Sequence, residues 1–204
     1  MRPSTPPPET GTPTPVRYAI DRQDRIVEVG GAWQAFADRN EGHDLAASRV
    51  LGRRLWESFA DATTIHLYQM MAAQLRGGQP SMKVCFRCDA PDTRRLLAME
   101  MRGRADGGIE FVVAPVAEQA RPRLALLDVH TPRDERLLTA CSWCKRIRAP
   151  DDRWVEAEEA IRAWDLFAGS PVPGLSHGIC PSCHQTITSG LDEPSTVAFD
   201  VGRW

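Results

Sequence analysis

Two short stretches, Cys141-Ser142-Trp143-Cys144 and Cys180-Pro181-Ser182-Cys183, indicate the fold of the C-terminal part of this chain. Each is a C-x-x-C pair, and such a pair can hold one edge of a tetrahedron in a tight turn. Two pairs together supply four thiolates, the closed ligand set that structural zinc prefers. A unit of this size has a small core, and bound zinc would add to its folding free energy. We therefore expect a zinc site formed by Cys141, Cys144, Cys180 and Cys183.

The overall composition is that of an ordinary globular protein. The chain has 204 residues, of which 42% are hydrophobic and 25% charged, with a formal net charge of -2. This near-neutral balance does not favour nucleic acid or an acidic membrane as a partner, and no apolar run is long enough for a membrane span. Residues 1–16 are rich in Pro and Thr, lack the apolar segment of a secretory signal and are expected to be disordered. We expect a cytoplasmic protein, where reducing conditions favour metal or redox cysteines over disulfides.

The order of strand-like and helical patterns predicts an α+β domain over residues 17–117. Two β-rich runs, Tyr18–Ile20 and Ile26–Val29, flank a charged turn and predict a hairpin. Apolar residues at helical spacing predict a short helix from Ala32 to Asn40 and a longer one from Thr64 to Arg76. Three further strands are expected before the end of the domain: Met82–Cys88, Leu96–Arg104 and Ile109–Val116.

This region resembles a PAS domain. The resemblance rests on the segment Ile26-Val27-Glu28-Val29 leading into Ala32-Trp33, on Val50-Leu51-Gly52-Arg53-Arg54-Leu55, on the second helix and on the three closing strands. Gly30-Gly31 departs from it, because many PAS domains have a polar Asn there. The resemblance implies a five-stranded antiparallel sheet with flanking helices around a pocket, a sensory or docking role, and a homodimer formed through the PAS domain.

The resemblance also implies which residues line that pocket. They are Trp33, Phe36, Leu55, Trp56, Phe59, Ile65, His66, Tyr68 and Met71. An aromatic and methionine lining suits haem, flavin or a small apolar ligand, and it equally suits a packed core without a ligand. His66 lies on the helix that supplies the iron ligand in haem-binding PAS domains, but it neighbours the apolar stripe, so a surface histidine is the alternative. Cys85 and Cys88 are three residues apart on a strand, so their side chains point to opposite faces.

The cysteine-containing stretch from Leu138 to His184 resembles a short C-terminal module that accompanies PAS domains, histidine kinases and response regulators in bacterial signalling proteins. It implies a metal site and a signalling setting, without a known reaction. We expect a connector over 118–133, a zinc-ribbon-like or treble-clef-like module over 134–186, and a C-terminal tail over 187–204. The module is predicted to contain one helix, from Arg153 to Phe167, with Trp154, Ala157, Ile161 and Trp164 on one face.

Other interpretations of the cysteines stay open. His177 or His184 could replace one cysteine as a ligand or lie beside the site. The string Cys180-Pro181-Ser182-Cys183-His184 has the C-x-x-C-H form of a c-type haem attachment site. Cys141 and Cys144 could instead form a redox pair, because a C-x-x-C turn can depress one thiol pKa.

These patterns predict a cytosolic bacterial PAS-type sensor or adaptor rather than an enzyme, since no phosphate-binding loop, nucleophile elbow or zinc-protease string is present. A separate signalling protein is the expected partner, with Trp143, Lys145 and Arg146 near the contact, because Trp and Arg are frequent at interface hot spots. The alternative for Trp143 is that it packs inside the zinc unit. Two alternatives remain: a haem- or redox-sensing PAS protein, and a nucleic-acid-binding regulator in which Lys145, Arg146, Arg148 and Arg153 contact phosphates.

Overall fold

The computed structural model describes residues 13–40, 42–164 and 171–192. Its strands are β1 (Val16–Ile20), β2 (Ile26–Gly31), β3 (Ser81–Arg87), β4 (Thr93–Gly103), β5 (Ile109–Ala120), β6 (Arg133–Cys141), β7 (Ile147–Arg148), β8 (Trp154–Val155) and β9 (Val172–Gly178). Its α-helices are α1 (Trp33–Arg39), α2 (Ala47–Val50), α3 (Ala62–Arg76), α4 (Ala157–Ala163) and α5 (Pro181–Asp192). Short 3-10 turns lie at His43–Leu45, Leu55–Ser58 and Ala125–Leu127.

Strands β1 to β5 form one antiparallel sheet, called here the N-terminal sheet. The strand order is β2-β1-β5-β4-β3, so β3 is an edge strand. Helices α1 and α3 pack on this sheet, with α3 contacting β3 and β4 and α1 contacting β1 and β2. The expected α+β class with a five-stranded antiparallel sheet and flanking helices is confirmed, and each of the five predicted strands forms within a few residues of its expected bounds.

Helix α3 begins at a side-chain cap and buries one face. The Asp61 carboxylate accepts a hydrogen bond from the backbone N–H of Thr64 at 2.8 Å, which satisfies one of the free donors at the helix start. Gly77 follows the last helical residue in a right-handed conformation, and the chain turns away at Gly78, whose φ of 112° suits a residue without a side chain. Leu67 and Met71 are fully buried, so the apolar face of α3 supplies much of the core above the sheet.

A second, four-stranded sheet carries the C-terminal part, and we call residues 133–192 the cysteine unit. The strand order is β8-β7-β6-β9, and β6 and β9 run parallel while the other pairs are antiparallel. Because a parallel pair needs a long crossover, the segment between β6 and β9 contains β7, β8 and α4.

The predicted helix over Arg153–Phe167 begins too early. Trp154 and Val155 form β8, which pairs with β7, and the helix starts only at Ala157. Both residues have high β-propensity, and a strand partner was available in Ile147–Arg148. Residues 165–167, the expected end of that helix, lie outside the described residues.

The cysteine unit also contains a second helix, α5, where one helix was predicted. It runs to Asp192 and so crosses the expected start of the C-terminal tail at residue 187. Residues 193–204 lie outside the described part of the chain, as do residues 1–12 of the expected disordered tail, whose last residue, Val16, begins β1. Among the helices of the described residues, none has the length and apolarity to cross a membrane.

The two parts share one hydrophobic core. Buried residues of the N-terminal sheet and its helices, such as Tyr68 and Val84, belong to the same cluster as Trp143, Cys180 and Ile187. A smaller cluster joins Leu126, which precedes the cysteine unit, to Ile147 and to Ala160 of α4. The cysteine unit is therefore packed on the N-terminal sheet rather than held beside it by a connector alone.

Candidate metal centre and adjoining cavity

The parallel pairing of β6 and β9 brings the two C-x-x-C pairs to one end of the second sheet. Cys141 is the last residue of β6 and lies opposite Gly178, the last residue of β9. The backbone N–H of Ser142 donates to the Gly178 carbonyl at 2.8 Å, which holds the ends of the two strands together. Residues separated by almost forty positions in the sequence therefore become neighbours at the end of the sheet.

The first pair sits in a tight turn between β6 and β7. The N–H of Lys145 donates to the Cys141 carbonyl at 3.0 Å, and the N–H of Cys141 donates to the Arg146 carbonyl at 2.7 Å. Lys145 has a φ of 62°, a left-handed conformation that is unfavourable for a residue with a side chain. Lys145 directly follows Cys144, and its N–H closes the turn on the Cys141 carbonyl.

The four sulfur atoms form a compact cluster. The Sγ atoms of Cys141, Cys144, Cys180 and Cys183 all lie within 4.8 Å of one another, and Cys144 Sγ is 3.7 Å from Cys180 Sγ. Sulfur ligands about 2.3 Å from a tetrahedral zinc ion stand about 3.8 Å apart, so this spacing fits zinc. A disulfide would need about 2.0 Å.

Backbone N–H groups point at two of the sulfurs. Cys141 Sγ accepts from the N–H of Cys144 at 3.5 Å and from that of Cys180 at 3.4 Å, and Cys180 Sγ accepts from the N–H of Cys183 at 3.4 Å. Such bonds stabilise sulfur in its thiolate form, the form that binds metal. A hydrogen bond from the neighbouring Cys144 thiol is the main cause that lowers the pKa of Cys141.

Further positive charge reaches the cluster from Arg146 and from α5. Although burial opposes its charged form, the hydrogen bond to Glu156 and the proximity of Cys144 and Cys180 raise the pKa of Arg146. Cys180 and Cys183 lie at the start of α5, where the helix dipole also favours thiolates. Four thiolates on one Zn²⁺ carry a net charge of about −2, which these groups partly offset.

Neither candidate histidine joins the cluster. Among the residues that the structure describes, the group of side chains that could hold a metal ion consists of the four cysteines, and both His177 and His184 are exposed. His177 lies instead near Asp61 and Lys145, and partial desolvation together with the Lys145 charge lowers its pKa, although the Asp61 charge opposes this shift. The geometry thus offers Cys180 and Cys183 to a metal ion together with the first pair, rather than to haem with His184.

Trp143, which was predicted to contact a partner, is buried at the junction of the two parts. It is only 2% exposed, and its ring centroid lies 5.6 Å from that of Tyr68 and 6.1 Å from that of Phe86. Its Nε1–H donates to the Cys85 carbonyl at 2.7 Å. A packed Trp143 was the alternative to a partner contact, but the residue packs on the N-terminal sheet and α3 rather than only inside the cysteine unit, because that sheet supplies an apolar surface and an acceptor that the local sequence does not reveal.

Two polar contacts also join the turn between β6 and β7 to the N-terminal sheet and its helices. The backbone N–H of Arg87 donates to the Trp143 carbonyl at 2.8 Å. The Ser142 hydroxyl donates to the Asp61 carboxylate at 2.8 Å, the same carboxylate that caps α3. Although burial works against its charged form, the hydrogen bonds from Thr64 and Ser142 lower the pKa of Asp61.

A network of charged side chains holds α4 to β3, β4 and the end of β5. Arg94 donates to both Glu158 oxygens at 3.2 and 2.9 Å, and Arg121 donates to Glu158 at 3.2 Å. Arg87 pairs with Asp89 and, at 2.6 Å, with Glu156. The side chains of Asp89 and Arg121 are 1% and 5% exposed, so the network is largely desolvated and each charge depends on its partner.

A cavity of about 690 Å³ lies between the N-terminal sheet, α1 and α3. Three of the predicted pocket residues, Trp33, Phe36 and Tyr68, line it. The other apolar candidates pack in the core instead: Leu55, Trp56, Phe59, Ile65 and Met71. His66 is exposed and faces away from the core. The sequence analysis missed several lining residues whose inward positions follow from strand alternation, namely Tyr18, Phe86, Leu97, Met99 and Val113.

The cavity combines aromatic walls with two weakly bonded hydroxyl groups. Tyr18 stacks on Phe111 with ring centroids 4.5 Å apart. The hydroxyls of Tyr18 and Tyr68 both approach Met99 Sδ, at 3.8 and 4.0 Å, and a thioether is a weak acceptor. Burial raises the pKa of both phenols, which therefore remain protonated donors. The cavity suits a flat apolar molecule that carries a hydrogen-bond acceptor.

The remaining cysteines lie apart from the metal centre. Cys88 lines the cavity, whereas Cys85 lies on β3 and is absent from the cavity wall. Both are half-buried free thiols. Both cysteines were expected on one strand, but β3 ends at Arg87, so only Cys85 lies on it.

No protein-family model matches this chain, and no curated protein matches it.

Proposed function

We propose that this protein is a PAS-type sensor or adaptor whose cavity takes a small ligand and whose four cysteines hold a structural zinc ion. The observation that carries the proposal is the cavity of about 690 Å³ together with four cysteine sulfurs that lie within 4.8 Å of one another. A five-stranded antiparallel sheet with helices over a pocket is the architecture that the PAS resemblance implies.

In this proposal zinc acts as a cross-link. Cys141 and Cys144 in the turn after β6 and Cys180 and Cys183 at the start of α5 would hold it, and four protein ligands leave no open position for a substrate. The zinc ion would therefore supply folding free energy and rigidity rather than chemistry. This supports a sensor or adaptor over an enzyme.

We further propose that the output is a contact with a separate signalling protein, made by a homodimer. Lys145 and Arg146 stay candidates for that contact, while the burial of Trp143 removes it from the surface. The nucleic-acid alternative is less well supported, because Arg146, Arg148 and Arg153 pair with Glu156, Asp152 and Asp151. A phosphate would have to displace these carboxylates.

The haem alternative is also less well supported. His66, its candidate iron ligand, is exposed and does not line the cavity. An absorption spectrum of the purified protein would show haem or flavin directly. A spectrum with only the protein bands would mean that any ligand in the cavity is colourless.

Elemental analysis and native mass spectrometry of the purified protein test the proposal. We expect one zinc per chain and a bound small molecule, or binding of the fluorescent apolar probe 8-anilinonaphthalene-1-sulfonate.

Val113→Phe should fill the cavity and weaken binding at least about tenfold. Val112→Phe, on the opposite face of β5, is the matched control and should bind normally. Equal binding by both variants would contradict the ligand site.

A further inference from the structure

We propose that Trp143 couples the four-cysteine centre to the cavity, so that metal at the centre sets the packing of the cavity wall. This inference rests on the proposed function, because it requires metal at the cysteines. It goes beyond it by assigning to one side chain a link between two sites that the sequence places far apart.

The metal side of the link is the turn that contains Trp143. The residue lies between two proposed ligands, Cys141 and Cys144, and the bonds from Lys145 to Cys141 and from Ser142 to Gly178 fix the backbone on either side of it. Because the turn is short, a metal ion that holds both sulfurs leaves the indole little freedom to move. Without metal, four crowded thiols lose their common partner and the turn can open.

The cavity side of the link is the edge of the N-terminal sheet. Trp143 Nε1–H donates to the Cys85 carbonyl, and the Trp143 carbonyl accepts from the Arg87 N–H, at 2.7 and 2.8 Å. These two groups flank Phe86 on the outer edge of β3, so the turn occupies hydrogen-bonding groups that an edge strand otherwise exposes. Phe86 and the following Cys88 both line the cavity.

The indole also packs directly on the cavity wall. Tyr68 and Phe86 contact Trp143 on one side and line the cavity on the other. A change in the position of Trp143 therefore changes the wall itself, without any intermediate element. By linkage, a molecule that binds better to the packed wall must also increase the affinity of the cysteines for metal.

The thiol of Cys88 gives a direct readout of the wall. Full-length protein, zinc-loaded or treated with a chelator, is reacted with N-ethylmaleimide, and the rate at Cys88 is followed by peptide mass spectrometry, which separates it from the metal-site cysteines. Elemental analysis first establishes the zinc content of each sample. We expect zinc removal to speed modification of Cys88 by about tenfold, because a loosened wall opens locally more often and exposes the thiol.

Three variants separate the link from general loss of structure. In zinc-loaded Trp143→Ala, Cys88 should already react fast, and zinc removal should change its rate by less than about twofold. Trp143→Phe keeps an aromatic contact but loses the Nε1–H donor. Its change in the Cys88 rate on zinc removal should lie between those of wild type and Trp143→Ala. Trp164→Ala removes a tryptophan that packs in the separate small cluster of the cysteine unit, and it should keep the full response.

The outcomes distinguish this inference from the proposed function. If wild-type protein binds zinc but Cys88 reacts at the same rate with and without it, the coupling is overturned and the zinc site stands. If Trp143→Ala binds zinc and keeps the full response, the route through Trp143 is overturned. If elemental analysis finds no zinc, the proposed function fails at its metal, and this inference fails with it.

Discussion

At the scale of single residues, the four metal-site cysteines should not be interchangeable with the other two. Replacement of Cys141 or Cys180 by Ser should abolish zinc binding, because serine cannot supply the thiolate and the remaining three sulfurs do not close the tetrahedron. Cys85→Ser is the matched control, since Cys85 is half-buried on β3 and lies outside the cluster. Elemental analysis of the purified variants measures the effect.

We expect about one zinc per chain in wild type and in Cys85→Ser, and close to none in the two metal-site variants. Equal zinc in wild type and a Cys141→Ser/Cys180→Ser double variant would rule out this ligand set.

The sequence reveals the cysteines but not the surroundings of Trp143. Two C-x-x-C pairs predict the cluster because a structural zinc site needs four thiolates, although the sequence does not show the parallel pairing of β6 and β9 that brings the two pairs together. The environment of Trp143 depends on Tyr68, Phe86 and the Cys85 carbonyl, which lie more than fifty residues away in the sequence. Exposure of a tryptophan is decided by such distant partners, and no local pattern encodes them.

At the scale of elements, Glu158 should contribute to the docking of α4 on β4 and the end of β5. Although partial burial opposes its charged form, hydrogen bonds from Arg94 and the charges of Arg94 and Arg121 lower the pKa of Glu158 to about 2, from 4.5. A carboxyl group whose pKa is lower in the folded state stabilises the protein above pH 4.5, and this contribution is lost as the pH falls towards 2.

We expect Glu158→Gln to lower the free energy of unfolding by about 1–2 kcal/mol at neutral pH, and its difference from wild type to vanish between pH 4.5 and 2. Glu159→Gln changes an exposed neighbour on the same helix and should have little effect. Denaturant unfolding at a series of pH values measures both differences. A Glu158→Gln effect that stays constant down to pH 2 would show that the charge of Glu158 is not the cause.

Elements with strong local signals are predictable, and elements defined by distant pairing are not. The β1–β2 hairpin has β-rich runs around a polar turn, and α3 has an apolar stripe, an Asp61 cap and a closing glycine, so both follow from sequence. Strands β7 and β8 have two residues each and exist only because they pair with one another and with β6. The same absence of a local signal hides the parallel pairing of β6 and β9.

At the scale of the whole molecule, the shared core means that metal removal should reach the N-terminal sheet. We expect the Arg87 amide, which donates to the Trp143 carbonyl, to exchange with solvent at least about tenfold faster after chelation, as the turn opens. Amides that join β1 and β2 should change little, because that pair lies at the opposite edge of the sheet. Hydrogen exchange followed by mass spectrometry measures both regions.

The alternative is that the N-terminal sheet and the cysteine unit open independently of one another. Faster exchange confined to residues 141–183, with 81–87 unchanged, would establish it and would contradict the continuous core.

The position of the last two cysteines also bears on how the protein is made. Ribosomes complete β1 to β5 well before Cys180 and Cys183 emerge, so the nascent chain carries its finished sheet with the β3 edge and the Tyr68–Phe86 surface uncovered. During this interval the uncovered edge is a site for chaperones, proteases or a neighbouring chain. Premature termination of translation before Cys180 therefore yields a chain that cannot cover this surface. Cellular quality control should remove such a chain.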